Sequence, residues 1–134
     1  AGGHPVGCAL ALEAIDIIIN EKMIENVRHL EPIFMGGLKK FEDLEFIGES
    51  RGIGLMGALE MAQDKKKKIP FDGSISIGER VANKCIENGL ICRPLGPSIV
   101  LCPPFITTEE EMDIIFETLE KTLKEVFSEV KSLG

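Results

Sequence analysis

Apolar residues recur at helical spacing in four stretches of the chain, separated by short alternating or β-branched runs bounded by glycine and proline. The first stretch, Val6 to Ile19, reads VGCALALEAIDIII and is apolar nearly all round apart from Glu13 and Asp16. Pro5 stands at its first turn, where a missing N–H costs nothing. A helix of that kind is buried on more than one side, so the pattern predicts a surface covered by another domain or subunit. The second stretch, about Met23 to Phe41, places Ile24, Val27, Leu30, Phe34, Leu38 and Phe41 on one face. Pro32 is expected to kink or divide this helix, and Gly36-Gly37 to weaken its latter half.

Strand character follows, with two strands expected at about Leu44–Arg51 and Leu55–Ala62. A charged loop, Asp64 to Lys68, and a turn at Asp72-Gly73-Ser74 lead into a helix from about Ser76 to Asn88, which Gly89 is placed to stop. The runs Leu90–Cys92 and Ser98–Cys102 then read as a hairpin whose turn is Arg93-Pro94-Leu95-Gly96-Pro97. Thr108 and Glu111 have capping-box spacing, and an apolar stripe from Met112 to Val130 marks a final helix. The order helix, helix, two strands, helix, two strands, helix fits an α+β fold, an antiparallel sheet of about four strands with helices on one face.

Length and charge narrow the partners. The 134 residues suit one folding unit, and 44% hydrophobic content is enough for a core. A net charge of −7 and the absence of Trp and Tyr speak against nucleic acid and against an anionic membrane. Cys8, Cys85, Cys92 and Cys102 form no CxxC pair, and they read as buried, reduced thiols of a cytosolic protein rather than zinc ligands. The chain opens AGGHP without a methionine and is expected to be a piece of something longer.

Several motifs reduce to ordinary structure. Gly52 to Gly57 matches GxGxxG, yet ALEMAQDKKKK leaves too little chain for a crossover helix before Pro70, so glycines allowing close backbone approach in a sheet explain it better. Lys65 to Lys68 read as a solvated loop. Arg51, with Glu49 nearby, reads as a structural ion pair or turn donor, and His29 as a surface residue. Gly2-Gly3-His4-Pro5 brings free backbone N–H groups to a helix N-terminus, a natural anion site, although an ordinary helix start is the simpler reading. Arg93 has no acidic residue between Asn88 and Ile106 to neutralise it. Its planar fork of donors suits a carboxylate, against the plainer reading of a solvated turn arginine.

GGHPVGCALALEAIDII, IGESRGIGLMGALEM and GLICRPLGPSIVLCPPFITTEEEMDIIFETLEKTLKEVF together resemble the C-terminal part of class III aminotransferases, pyridoxal-phosphate (PLP) enzymes of fold type I. RPLG followed by a strand and CPPF is most like the ω-amine, β-alanine and taurine–pyruvate branch. The resemblance implies residues 1–42 as interface segment and linking helices, and 43–134 as the small C-terminal domain. It implies a homodimeric parent enzyme that moves an amino group from an amine or ω-amino acid to pyruvate or a similar oxo acid by ping-pong exchange on PLP. It gives Arg93 the role of a mobile grip on the substrate carboxylate, and it sets Gly3 and His4 near the phosphate of the partner subunit's PLP. Ala1 stands where the family has an aromatic residue, and the family's phosphate-binding threonine would precede it. No stretch matches the Schiff-base lysine, the aspartate at the pyridine nitrogen or the glycine-serine phosphate loop, so this piece alone is expected to be inactive. The competing expectation is a free-standing α/β module that senses an amino or oxo acid.

Overall fold

The computed structural model describes residues 2–132, so the expectation placed on Ala1 lies outside the described residues. Two helices lead, α1 (Pro5–Asn20) and α2 (Met23–Lys40). A 3₁₀ turn (Phe41–Asp43) joins α2 to the hairpin β1 (Ile47–Ile53) and β2 (Met56–Met61). Helix α3 (Ile77–Glu87), the hairpin β3 (Arg93–Leu95) and β4 (Ser98–Leu101), and helix α4 (Glu109–Lys131) complete the fold. The four strands form one antiparallel sheet in the order β1-β2-β4-β3. This is the expected α+β architecture.

Period-two alternation divides the sheet into two faces. Leu59 and Met61 of β2 and Ile99 and Leu101 of β4 are buried on one face, where they meet Leu30, Phe34 and Leu38 of α2, Val81 and Cys85 of α3, and Leu119, Leu123 and Val126 of α4. Helix α2 thus packs into the same core as the sheet. The register sets Arg51, Ala58, Val100 and Arg93 on the opposite face, together with Ile53, Met56 and Leu95. Among the described residues, no helix covers that second face.

Both hairpins turn in two residues with glycine first. Gly54 has φ +57° and Gly96 has φ +58°, while Leu55 and Pro97 keep negative φ, the φ pattern of a type II′ turn. The GxGxxG glycines therefore serve a hairpin, as the short chain after Gly57 required. Helix α4 starts at a complete capping box: the Glu111 N–H donates to Thr108 Oγ1 at 3.2 Å, and the Thr108 N–H donates to Glu111 Oε2 at 2.9 Å.

Several local expectations need correction. Cys8, on the uncovered helix α1, and Cys102, just past the end of β4, are exposed, while Cys85 and Cys92 are buried. Helix α2 is continuous through Pro32, because Leu30, Phe34 and Leu38 on either side of it anchor one uninterrupted buried face. Gly36-Gly37 does not weaken its packing: a methyl group on Gly37 would stand 2.2 Å from the Phe116 ring, so the missing side chain is what lets α4 approach. In the second hairpin, the strand begins at Arg93 rather than ending at Cys92, and the turn shrinks to Gly96-Pro97. Pro94 misleads here, since an edge strand with one neighbour tolerates a residue that cannot donate.

Helix α1 is different in kind. None of its residues is buried, and Val6, Leu10, Leu12, Ile15 and Ile19 are each more than half exposed.

Candidate functional site

Arg93 opens β3, the edge strand, opposite Val100 of β4. Its side chain lies on the uncovered face and is exposed. Among the described residues it has no acidic partner within 4.0 Å. Its neighbours on that face are apolar: Val100 across the ladder, and Leu95 two residues along its own strand. A permanently charged fork of donors beside apolar surface is suited to gripping a carboxylate whose organic group lies on the sheet.

Arg51 shares the face and is neutralised. Its Nη1 donates to Glu60 Oε2 at 2.7 Å and lies 3.8 Å from Glu49 Oε2. The expected structural ion pair is present, with Glu60 across the hairpin as its nearer partner.

Gly3 and His4 stand at the opposite end of the chain. His4 is the extended N-cap of α1, its side chain makes no capping bond, and the first turn contains no acidic residue. The first N–H groups of α1 point out of an exposed helix end, a setting compatible with an anion.

The lysines show what else the described residues can hold. Lys65 Nζ donates to the carbonyls of Glu42 and Leu44 at 2.6 and 2.9 Å, and Lys84 pairs with Glu87 at 2.9 Å. The others are exposed. A PLP-bearing lysine needs a desolvated pocket, and none of these has one.

Contacts between distant residues escaped the sequence reading. Asn26 Nδ2 donates to the carbonyls of Phe105 and Thr107 at 2.7 and 3.0 Å, fixing the segment between β4 and α4 against α2. His29 Nε2 meets Glu109 Oε1 at 2.6 Å beside it. Glu42 accepts from the Ser50 N–H at 2.9 Å and from its hydroxyl at 2.5 Å, and Lys39 lies 2.7 Å away. The Lys39 hydrogen bond, followed by the Ser50 hydroxyl, lowers its pKa to about 2. Apart from Lys39, three residues before Glu42, these partners are eight to 81 residues apart, beyond the reach of a local motif.

Comparison with known proteins bears on the lineage of the chain. Residues 1–123 match the family model for class-III aminotransferases. The chain is 40% identical over 131 residues to gamma aminobutyrate transaminase 1 of Solanum lycopersicum, covering 98% of this chain and 25% of that protein. It is 36% identical over 123 residues to the adenosylmethionine-8-amino-7-oxononanoate aminotransferase of Methanocaldococcus jannaschii, covering 92% of this chain and 27% of that one. Among solved structures, an omega-aminotransferase from Paracoccus denitrificans superposes with TM-score 0.93 at 62% identity, and an aminotransferase from Vibrio fluvialis with TM-score 0.93 at 59%. Each alignment covers 96% of this chain and 28% of the solved chain. A family match over residues 1–123 settles the lineage: the chain belongs to the class-III aminotransferases.

Proposed function

We propose that this chain forms the C-terminal small-domain part of a larger PLP-dependent ω-aminotransferase, and that its contribution to the reaction is Arg93. In the whole enzyme, PLP would supply the group that carries nitrogen between an amine or ω-amino acid and pyruvate or a similar oxo acid. What Arg93 does is bind and orient: two parallel N–H···O bonds fix the plane of a substrate carboxylate. The observation that carries this reading is a guanidinium on an uncovered sheet face with no acidic partner among the described residues, while Arg51 on the same face is paired. Helix α1 supports the larger parent. Its apolar surface has no cover among the described residues, so we assign α1 to the linking and interface segment of a homodimer, with Gly3 and His4 facing the partner subunit's cofactor phosphate. A cytoplasmic location belongs to the same proposal, and its support is the reduced state expected of the cysteines. No helix among the described residues is long and apolar enough to cross a membrane.

The decisive experiment is Arg93→Ala in the full-length protein that contains this chain. Turnover with pyruvate as acceptor should fall much further than turnover with an aldehyde acceptor that has no carboxylate. Equal losses would remove Arg93 from substrate recognition.

A further inference from the structure

The strand that carries Arg93 is weakly held by its own ladder. It has three residues, lies at the sheet edge with β4 as its single strand neighbour, and contains Pro94, which has no N–H to donate. Something else must fix where Arg93 stands. Helix α3 is packed against both β3 and β4, and Gly78, buried in its first turn, lies directly against the turn that joins them. A methyl group on Gly78 would lie 2.3 Å from the carbonyl oxygen of Gly96 and 3.2 Å from that of Ser98.

The neighbours of the other crowded glycines are of another kind. A methyl group on Gly37 would meet the Phe116 ring, and one on Gly57 the side chains of Leu38 and Phe34, which can shift only at a cost in packing but without moving main chain. Gly52 meets main chain, but inside its own β1–β2 hairpin. At Gly78 a helix backbone rests directly on the turn joining the Arg93 strand to the sheet, and neither side has a flexible end that can yield.

We infer that Gly78 is a positioning residue for Arg93: by seating α3 on the Gly96-Pro97 turn, it sets the height of β3 and hence of the guanidinium above the sheet. This inference rests on the reading of Arg93 as the carboxylate grip. Any side chain at Gly78 must push the turn away from α3, and β3, paired on one edge, moves with it. Displacement of a substrate-positioning group by about 1 Å is enough to cost up to about a hundredfold in rate.

The test compares variants of the full-length protein with pyruvate and with benzaldehyde, an acceptor lacking a carboxylate. Gly78→Ala should lower kcat/KM for pyruvate by about tenfold, chiefly through KM, and change benzaldehyde by less than about twofold. Gly57→Ala, with comparable crowding (2.4 Å from Leu38 Cδ1) away from this turn, should affect both acceptors alike. If Gly78→Ala does not accumulate as folded protein, Pro97→Gly loosens the same turn without touching α3 and should give the same selective loss. Equal effects on the two acceptors from Gly78→Ala or Pro97→Gly, or a selective loss from Gly57→Ala, would overturn the inference. Arg93→Ala separates the two levels: if it is selective while the turn variants are not, the positioning role alone fails. If it is not selective, the reading of Arg93 fails and this inference with it.

Discussion

Arg51 and Arg93 stand at the two ends of one row across the uncovered face of the sheet, linked by the pairs Arg51↔Ala58, Ala58↔Val100 and Val100↔Arg93. With strands about 4.8 Å apart, three steps set their backbones about 14 Å apart. Two residues of identical chemistry thus share a face but differ in charge balance, since Arg51 is held by Glu60 and Glu49.

That difference predicts divergent phenotypes. Arg51→Ala removes an exposed ion pair and should change stability by less than about 1 kcal/mol in urea titrations. It should leave the preference for carboxylate acceptors unchanged in the full-length protein. Arg93→Ala should reduce that preference by about 10- to 100-fold, the range for charge-assisted hydrogen bonds. Matching effects from the two variants would show that the row acts only as a general positive surface.

Glu42 gives a pH-dependent prediction. Its carboxyl is held at about pKa 2, below the ordinary 4.5, by Lys39 first and the Ser50 hydroxyl next. A lowered folded-state value means that the charged form favours folding. Its contribution is complete above pH 4.5 and is lost as pH falls toward 2. Glu42→Gln should therefore be less stable than the parent chain at neutral pH, and the gap should close as pH approaches 2. Urea midpoints across that range measure it. A gap constant with pH would mean that shape rather than charge matters at this position.

Crowding at Gly37 predicts an outcome opposite to helix propensity. Alanine in a helix interior normally gains about 1 kcal/mol over glycine. At Gly37 the added methyl would stand 2.2 Å from the Phe116 ring, and overpacking of this kind costs about 1–3 kcal/mol. Gly37→Ala should be net destabilising by about 1 kcal/mol, and Gly37→Ala combined with Phe116→Leu should lose less than the sum of the single changes. Additive losses would show that the ring is not the obstacle.

How far the sequence reveals this fold follows from the range of the forces involved. Helix α4 is legible because Thr108 and Glu111 are three residues apart and its apolar stripe repeats locally. The isolation of Arg93 is legible because no acid lies near it in the chain. The nearer partner of Arg51 is not, because Glu60 comes within reach only once the β1–β2 register is set. Asn26 and His29 are likewise invisible, since their partners Phe105, Thr107 and Glu109 are 79 to 81 residues away. Pro32 and Pro94 mislead for a shared reason. Proline's local cost of about 3 kcal/mol in a helix, or one lost ladder bond in a strand, is outweighed by burial around α2 and avoided at the edge position of β3.

The last prediction concerns α1 in the chain expressed by itself. Its sixteen residues have no buried member, no side-chain cap, no acid in the first turn and no base in the last. A helix of that length without tertiary packing is marginal in water, and consecutive β-branched residues such as Ile17, Ile18 and Ile19 lower its propensity further. In the monomeric chain, amides of α1 should exchange with solvent orders of magnitude faster than those of α4, whose buried face ties it to global unfolding. In the full-length protein the same amides should be slow. If the chain instead associates with itself, α1 should gain protection that rises with concentration, and Leu10→Glu should abolish it. Protection of α1 equal to that of α4 in a concentration-independent monomer would overturn the assignment of α1 to an interface segment.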